Sequence, residues 1–307
     1  MKILIATEKP FAKAAVDGIK KIFAEAGMET ALLEKYADVA DLLRAVADAD
    51  GLIVRSDKVT SQVVAAAKNL KIVVRAGAGY DNLDLAACTA QNIVAMNTPG
   101  QNSNAVAELA IGMMVYMARN SFASGTGSEL KGKTLGIHAY GNVGRLVALL
   151  GKGFGMDVYA FDPFVKKETI VADGVKPCAG IEELYSTCQY ISLHIPATEQ
   201  TKKSVNADLV GKMPKGGTLV NTARKEVIDE ESLFQLLQQR IDLRYVTDVA
   251  PALHNEMKAA LGTRYFATEK KMGAETAEAN INAGLAAATQ IVKFFKNGDK
   301  TFQVNKV

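Results

Sequence analysis

Short apolar runs alternate with helically spaced apolar positions from the first residues onward. Residues 2–6 (KILIA) read as a strand, and residues 12–26 carry apolar side chains at helical spacing. Residues 51–54 (GLIV) and 71–74 (KIVV) are strand-like, with a helix-like stretch at 63–67 between them. The alternation returns at 134–137, 158–161, 190–193, 218–221 and 245–249, where a strand is mostly followed by glycine or polar residues and then a helical pattern. Unbroken β-branched runs belong to strands covered on both faces. Strand–helix alternation supplies the crossovers that parallel pairing needs. The pattern therefore predicts an α/β fold of two doubly wound parallel sheets.

A break falls at Asn97-Thr-Pro-Gly100, followed by a long helical pattern over 104–119 and a polar, glycine-rich stretch over 121–132. A second long helix is predicted over 274–295, with a short tail at 301–307. Two long helices bracketing a central block predict one domain of residues 1–98 plus 286–307, discontinuous in sequence, and a second domain of residues 99–285. A cleft between two such domains is the natural ligand site. The length, 307 residues, suits two domains that each bury a core.

Composition narrows the function. The net charge is only +3 and its basic residues are scattered, so neither nucleic acid nor a membrane surface is an expected partner. Apolar runs stay well short of the roughly 18–20 residues of a membrane span. Cys88, Cys178 and Cys188 lack metal or redox spacing, and the start, MKILIATEKP, lacks a secretory apolar region. These features predict reduced thiols, no metal, and a cytoplasmic location.

The strongest local motif is Ala139-x-Gly141-x-x-Gly144, which follows a predicted strand and opens a helix. In a dinucleotide-binding turn the first position makes the tight turn, the second lets the backbone approach the pyrophosphate, and the third lets helix pack on strand. Amides at the helix start then hold the phosphates. Alanine at the first position implies a turn of negative φ. Tyr140, Asn142 and Val143 complete the candidate cofactor loop. Asp162 ends the next strand, 21 residues after Gly141, where a carboxylate binds ribose hydroxyls and repels a 2′-phosphate, favouring NAD.

Further segments carry a family resemblance. They are Leu52-Ile-Val-Arg-Ser-Asp-Lys-Val-Thr60, Val74-Arg-Ala-Gly-Ala-Gly-Tyr-Asp-Asn82, Asn97-Thr-Pro, His194-Ile-Pro196 and Asn221-Thr-Ala-Arg224, with Asp248 24 residues after Arg224. Over essentially its whole length the chain resembles the D-isomer-specific 2-hydroxyacid dehydrogenases, and within them the short, lysine-type phosphoglycerate dehydrogenases. The resemblance implies a Rossmann-type cofactor domain inserted into a flavodoxin-like substrate domain. It also implies a homodimer and hydride transfer between a small anionic 2-hydroxy acid and NAD. It assigns His194, Ile195, Pro196, Thr201, Thr222, Ala223 and Asp248 to the cofactor, and Arg224 to the substrate carboxylate, which its planar fork suits.

The family's acid/base histidine, oriented by a glutamate, is not in place. His138 precedes the phosphate loop and reads as structural, His194 belongs to the cofactor loop, and His254 reads as a surface residue. An ungapped alignment puts Lys271 at the histidine position, 23 residues after Asp248, and Leu253 at the glutamate position. An ammonium has no tautomer to select, and an adjacent carboxylate would keep it protonated, so the two departures are expected to go together. Lys271 is thus the candidate acid/base, with Lys270 next to it in sequence.

Arg55, Ser56, Lys58, Arg75, Ala76 and Gly77 form the candidate substrate site. Three cations, together with successive amides of Ala76-Gly77-Ala78-Gly79 arranged as a nest, exceed what one carboxylate needs and point to a phosphorylated substrate such as 3-phosphoglycerate. The reaction expected is its oxidation to phosphohydroxypyruvate, the first step of serine biosynthesis. The alternatives are a glyoxylate or hydroxypyruvate reductase, and an NAD(H)-sensing binding protein on the same fold.

Overall fold

The structure, a computed structural model, describes residues 1–305. The chain divides into two compact units, one of Met1–Asn102 and Glu275–Val307, the other of Ser103–Ala274. The first unit opens with β1 (Lys2–Thr7), α1 (Lys13–Glu25), β2 (Glu29–Glu34), α2 (Val39–Val46) and β3 (Gly51–Val54). It continues with α3 (Ser61–Ala66), β4 (Ile72–Arg75), α4 (Leu85–Ala90) and β5 (Val94–Asn97). These strands pair in parallel in the order β2-β1-β3-β4-β5. The inner strand β3 is buried throughout, as its unbroken apolar run requires. Side-chain caps from Asp38, Thr60 and Asp84 start α2, α3 and α4.

The second unit begins with α5 (Ser103–Ala118), β6 (Thr134–His138), α6 (Asn142–Gly153), β7 (Asp157–Phe161), α7 (Lys167–Ala172) and β8 (Lys176–Pro177). Then come α8 (Ile181–Thr187), β9 (Tyr190–Leu193), α9 (Ala207–Val210) and β10 (Thr218–Asn221). The unit closes with α10 (Glu230–Gln239), β11 (Arg244–Thr247), α11 (His254–Leu261) and β12 (Tyr265–Ala267). Its sheet runs β12-β11-β10-β9-β6-β7-β8, again parallel. From β6 the chain winds outward to β8, then from β9 outward the other way to β12. The β6/β9 junction is thus a topological switch point, and ligands of such sheets bind outside the carboxyl ends of the strands there.

Helix α12 (Ala277–Asn297) returns to the first unit, capped by Thr276 and ended by Gly298 at φ +67. It packs on α1 through small residues: a Cβ added to Gly284 would stand 3.0 Å from Ile19 Cδ1, and Leu285 fills the notch left by Gly18. The division read from the sequence, at 285/286, would cut this continuous helix. The compact units part instead at 274/275 and 102/103, because the first turns of α12 bury Ala279 and Ala283 with the rest of the helix.

Candidate active site

The phosphate loop joins β6 to α6. Ala139 has φ +78, so the negative φ expected from its side chain is not what the turn adopts. An L-residue there crowds its Cβ against its own backbone, a strain met mainly where a site requires it. The amide of Ala139 donates to Phe161 O at 2.9 Å, which ties the turn to β7. Gly141 caps α6 in an extended conformation with open space where a Cβ would stand. Gly144 has none, since a Cβ would lie 2.3 Å from Ala139 O. Asn142 and Val143 form the first turn of α6, whose amides have no intrahelical acceptor.

Tyr140 is buried, its hydroxyl bonded to Asp173 at 3.2 Å and its amide to Asp162 Oδ2 at 2.8 Å. The second Asp162 oxygen accepts the Phe164 amide at 2.8 Å. Asp162 therefore clamps the loop itself, with lone pairs remaining on each oxygen for a ribose hydroxyl.

The loops after β9, β10 and β11 lie along the carboxyl edge. His194 bonds Ser192 Oγ through Nε2 at 3.0 Å, and its amide donates to His138 O at 2.9 Å. Burial pushes the His194 imidazole down to about 3, helped by neighbouring His138 and Lys271. His138, bonded to Tyr185 at 3.2 Å, is pushed down to about 4 by burial. Both rings are neutral near pH 7. Ile195 is buried and Pro196 exposed, and Thr201 Oγ1 closes their turn on Pro196 O at 2.5 Å. Thr222 and Ala223 are buried, and the Thr222 hydroxyl lacks a partner, an orphan donor suited to a bound ligand. Asn221 shapes this loop, accepting the Ala223 amide and donating to Arg224 O, each at 3.0 Å. The sequence placed Asn221 in a family segment without giving it a role; the structure makes it the residue that shapes this loop.

Arg224 and Lys271 come together here. Arg224 Nη1 and Lys271 Nζ both donate to Ala223 O, at 3.0 and 2.8 Å. Lys271 Nζ also reaches Thr222 O at 3.1 Å and both oxygens of Asp248, at 3.1 and 3.3 Å. The lysine was expected to stand apart from any carboxylate. Asp248 overturns that expectation, because the chain after β11 turns its side chain inward under the segment that carries Lys271. Desolvation lowers the Lys271 pKa from its ordinary 10.5; Asp248 opposes this and Arg224 adds to it. The Lys271 side chain is 39% exposed even though Nζ has acceptors on Thr222, Ala223 and Asp248. Lys270 is exposed. Leu253 sits half-buried ahead of α11, against the apolar cluster. His254 is not the surface residue expected, since Nδ1 bonds Tyr265 Oη at 2.9 Å and the ring packs on that tyrosine.

In the first unit, Arg55 is largely occupied. Its Nη1 donates to Lys9 O and Pro10 O at 3.1 and 3.0 Å, its Nη2 to Asn280 Oδ1 at 2.5 Å, and it lies over the Phe11 ring. Arg75 Nε donates to Arg55 O at 3.0 Å. The expected nest is not formed at its first two positions: Ala76 N donates to Val54 O and Gly77 N to Arg75 O, at 2.8 and 2.9 Å. The Arg75 guanidinium folds over Gly77, where φ is +152 and a Cβ would collide with it. Ser56 and Lys58 are exposed. Between them Asp57, 2% exposed, accepts the Glu8 amide and the Tyr36 hydroxyl at 2.6 and 2.7 Å and anchors the loop.

Among the described residues, no cluster of His, Cys, Asp or Glu is placed to hold a metal ion, and no helix is long and apolar enough to cross a membrane. The three cysteines are buried and free.

Residues 106–263 match the family model described as D-isomer specific 2-hydroxyacid dehydrogenase, NAD binding domain. The chain is 35% identical over 285 residues to a hydroxypyruvate reductase of Thermotoga maritima, covering 86% of this chain and 91% of that one. It is 36% identical over 276 residues to a D-3-phosphoglycerate dehydrogenase of Methanocaldococcus jannaschii, covering 83% of this chain but 52% of the relative. The chain thus spans about half the length of that relative. The crystal structure of an NAD+-bound 3-phosphoglycerate dehydrogenase of Entamoeba histolytica superposes with a TM-score of 0.89 at 51% identity, covering 100% of this chain and 99% of that one. The switch-point loop, the paired cations and these matches agree: the chain belongs to the D-isomer specific 2-hydroxyacid dehydrogenase family, with residues 106–263 matching its NAD-binding domain.

Proposed function

We propose that this chain oxidises D-3-phosphoglycerate to 3-phosphohydroxypyruvate with NAD, and runs the reverse reduction. Arg224 holds the α-carboxylate and Lys271 exchanges the hydroxyl proton. The observation that carries this reading is the convergence of Arg224 Nη1 and Lys271 Nζ on one carbonyl, Ala223 O. A fork-shaped cation beside a titratable amine is the pair that a 2-hydroxy acid requires. The open space at Gly141, the free amides of α6 and the orphan Thr222 hydroxyl fit a dinucleotide. The bound cofactor's chemistry is to take the hydride from C2 in oxidation and return it in reduction. Neutral Lys271 takes the hydroxyl proton at Nζ, and the ammonium gives it back to the C2 oxygen in reduction. Arg224 binds the carboxylate in both directions.

Phosphate binding is assigned to the cations of the first unit, Lys58 foremost because Arg55 is largely spent on backbone carbonyls. That same occupancy, with a hydroxypyruvate reductase among the relatives, favours a second reading in which the substrate is unphosphorylated. Rates on 3-phosphoglycerate, glycerate and lactate with NAD, and on hydroxypyruvate and glyoxylate with NADH, separate the two. A kcat/KM at least tenfold higher on the phosphorylated acid, falling in Lys58→Ala, supports the first. Equal or higher rates on the unphosphorylated acids support the second. A cytoplasmic homodimer belongs to the same reading by family resemblance. Sedimentation at twice the 32.7 kDa chain mass is expected, and a monomer would refute the dimer.

A further inference from the structure

Asp248 follows β11 and is completely buried. A carboxylate in that position stays ionised only if it is paired and bonded. Its Oδ2 accepts the Gly273 amide at 3.0 Å, and both oxygens face Lys271 Nζ. The approach of the 271–273 segment depends on glycine: a Cβ at Gly273 would stand 2.9 Å from Asp248 Oδ2 and 3.3 Å from Val106 Cγ2. The backbone thus brings the lysine to the carboxylate rather than leaving the contact to a long side chain alone.

The donor count is informative. An ammonium has three N–H groups, and Lys271 Nζ has four acceptor atoms around it: Thr222 O, Ala223 O and the two Asp248 oxygens. With four acceptors for three N–H groups, one N–H of the protonated lysine can turn to a substrate oxygen while Asp248 still holds Nζ. A neutral amine has two N–H groups for the same acceptors, and Asp248 is the charged one among them.

We propose that Asp248 is a positioning residue, whose buried carboxylate aims the Lys271 amine and sets the pH range over which it exchanges a proton. This rests on the reading of Lys271 as the acid/base, and it gives Asp248 the orienting task for which Leu253 carries no functional group. In oxidation the substrate O–H bond breaks and its proton forms an N–H bond on Lys271, while the hydride passes from C2 to the nicotinamide. The positive charge gained on Lys271 is met by Asp248; in reduction the same charge is given up. The other ionisable groups around the amine are Arg224 and Glu226, on the loop after β10, and His194, after β9. Arg224 disfavours the ammonium and Glu226 favours it, while His194 stays neutral.

The test compares the wild-type chain with Asp248→Asn, which keeps the shape and an acceptor for Gly273 but removes the charge. Competitive acetylation with acetic anhydride across pH, read by mass spectrometry on the Lys271 peptide, gives the lysine's midpoint without reference to activity. The midpoint is expected to fall by about one to three pH units. The acid limb of kcat/KM for NAD-linked oxidation of 3-phosphoglycerate, measured at saturating NAD, should move the same way. An unmoved midpoint overturns the proposal, as does a loss of NADH affinity without a midpoint shift, which would assign Asp248 to the cofactor alone. Near-normal turnover in Lys271→Ala would instead remove the acid/base reading beneath it, whatever the midpoint does. If Asp248→Asn fails to fold, thermal melting of Lys271→Met tests the pair. Stranding the buried carboxylate should lower the melting temperature, and adding Asp248→Asn should restore it; no restoration overturns the pairing.

Discussion

Gly144→Ala probes the link between packing and cofactor binding most sharply. The added Cβ would lie 2.3 Å from Ala139 O, 2.9 Å from Ile137 Cγ2 and 3.3 Å from Ala139 C. Two of these are backbone atoms of a residue already held at positive φ. To reach van der Waals distance, the first turn of α6 must move by about 1 Å, since carbon–oxygen contacts rarely close below about 3.2 Å. Overpacking of this kind costs about 1–3 kcal/mol. Alanine recovers at most about 1 kcal/mol through its better helix propensity. With that recovered in full, the net loss of up to about 2 kcal/mol lowers the melting temperature by up to about 8 °C for a unit of this size. The same displacement moves the α6 amides away from the pyrophosphate, and losing one or two charge-assisted bonds weakens NADH binding by about tenfold to a hundredfold. Thermal melts with and without NADH, beside a fluorescence titration, measure both effects. A melting temperature within a degree of wild type together with an unchanged Kd would refute this geometry of the loop.

Three further outcomes follow from the hydrogen bonds and charges. Asp57→Ala strands the buried Tyr36 hydroxyl, at about 1–3 kcal/mol, while the exposed Glu8 amide can turn to water; urea unfolding should show a loss of about 1–3 kcal/mol, and a loss below about 1 kcal/mol would contradict the anchor. Asp162→Ala removes the acceptor for both Tyr140 and Phe164 amides; the KM for NAD should rise at least tenfold and the preference for NAD over NADP should shrink, both read from initial rates. His138 and His194 are held at about 4 and about 3 in the folded chain against 6.5 unfolded, so the unfolded chain binds protons first as pH falls. Stability is therefore full above about pH 6.5 and declines toward pH 4; melting temperatures across that window should fall in wild type and fall less steeply in His138→Gln.

Much of this was legible in the apolar pattern, for particular reasons. β3, β9 and β10 occupy the ranges read from the sequence because inner parallel strands are apolar on both faces. β2 escaped because ETALLE is an edge strand, half-exposed and without clean alternation. β8, two residues long, leaves no periodic trace. Motif spacing located the phosphate loop, but it said nothing of the φ at Ala139, which the tie to Phe161 O accompanies. Alignment with the family it resembles pointed to Lys271, while its pairing with Asp248 is a contact across 23 residues that depends on the close approach of Gly273. The commitment of the Arg55 guanidinium to Lys9, Pro10 and Asn280 is likewise tertiary, which is why a sequence reading counts that charge as available to a ligand.

One assay bears on the chemistry before any other: NADH absorbance with D-3-phosphoglycerate and NAD, and with phosphohydroxypyruvate and NADH, for wild type beside Lys271→Ala. Turnover in both directions by wild type, reduced at least a hundredfold in the variant with NADH binding intact, is the result expected. Wild-type turnover that survives in Lys271→Ala would remove the lysine from the reaction. Tight NADH binding by a wild type that turns over neither this pair nor any other 2-hydroxy acid would contradict the dehydrogenase reading itself.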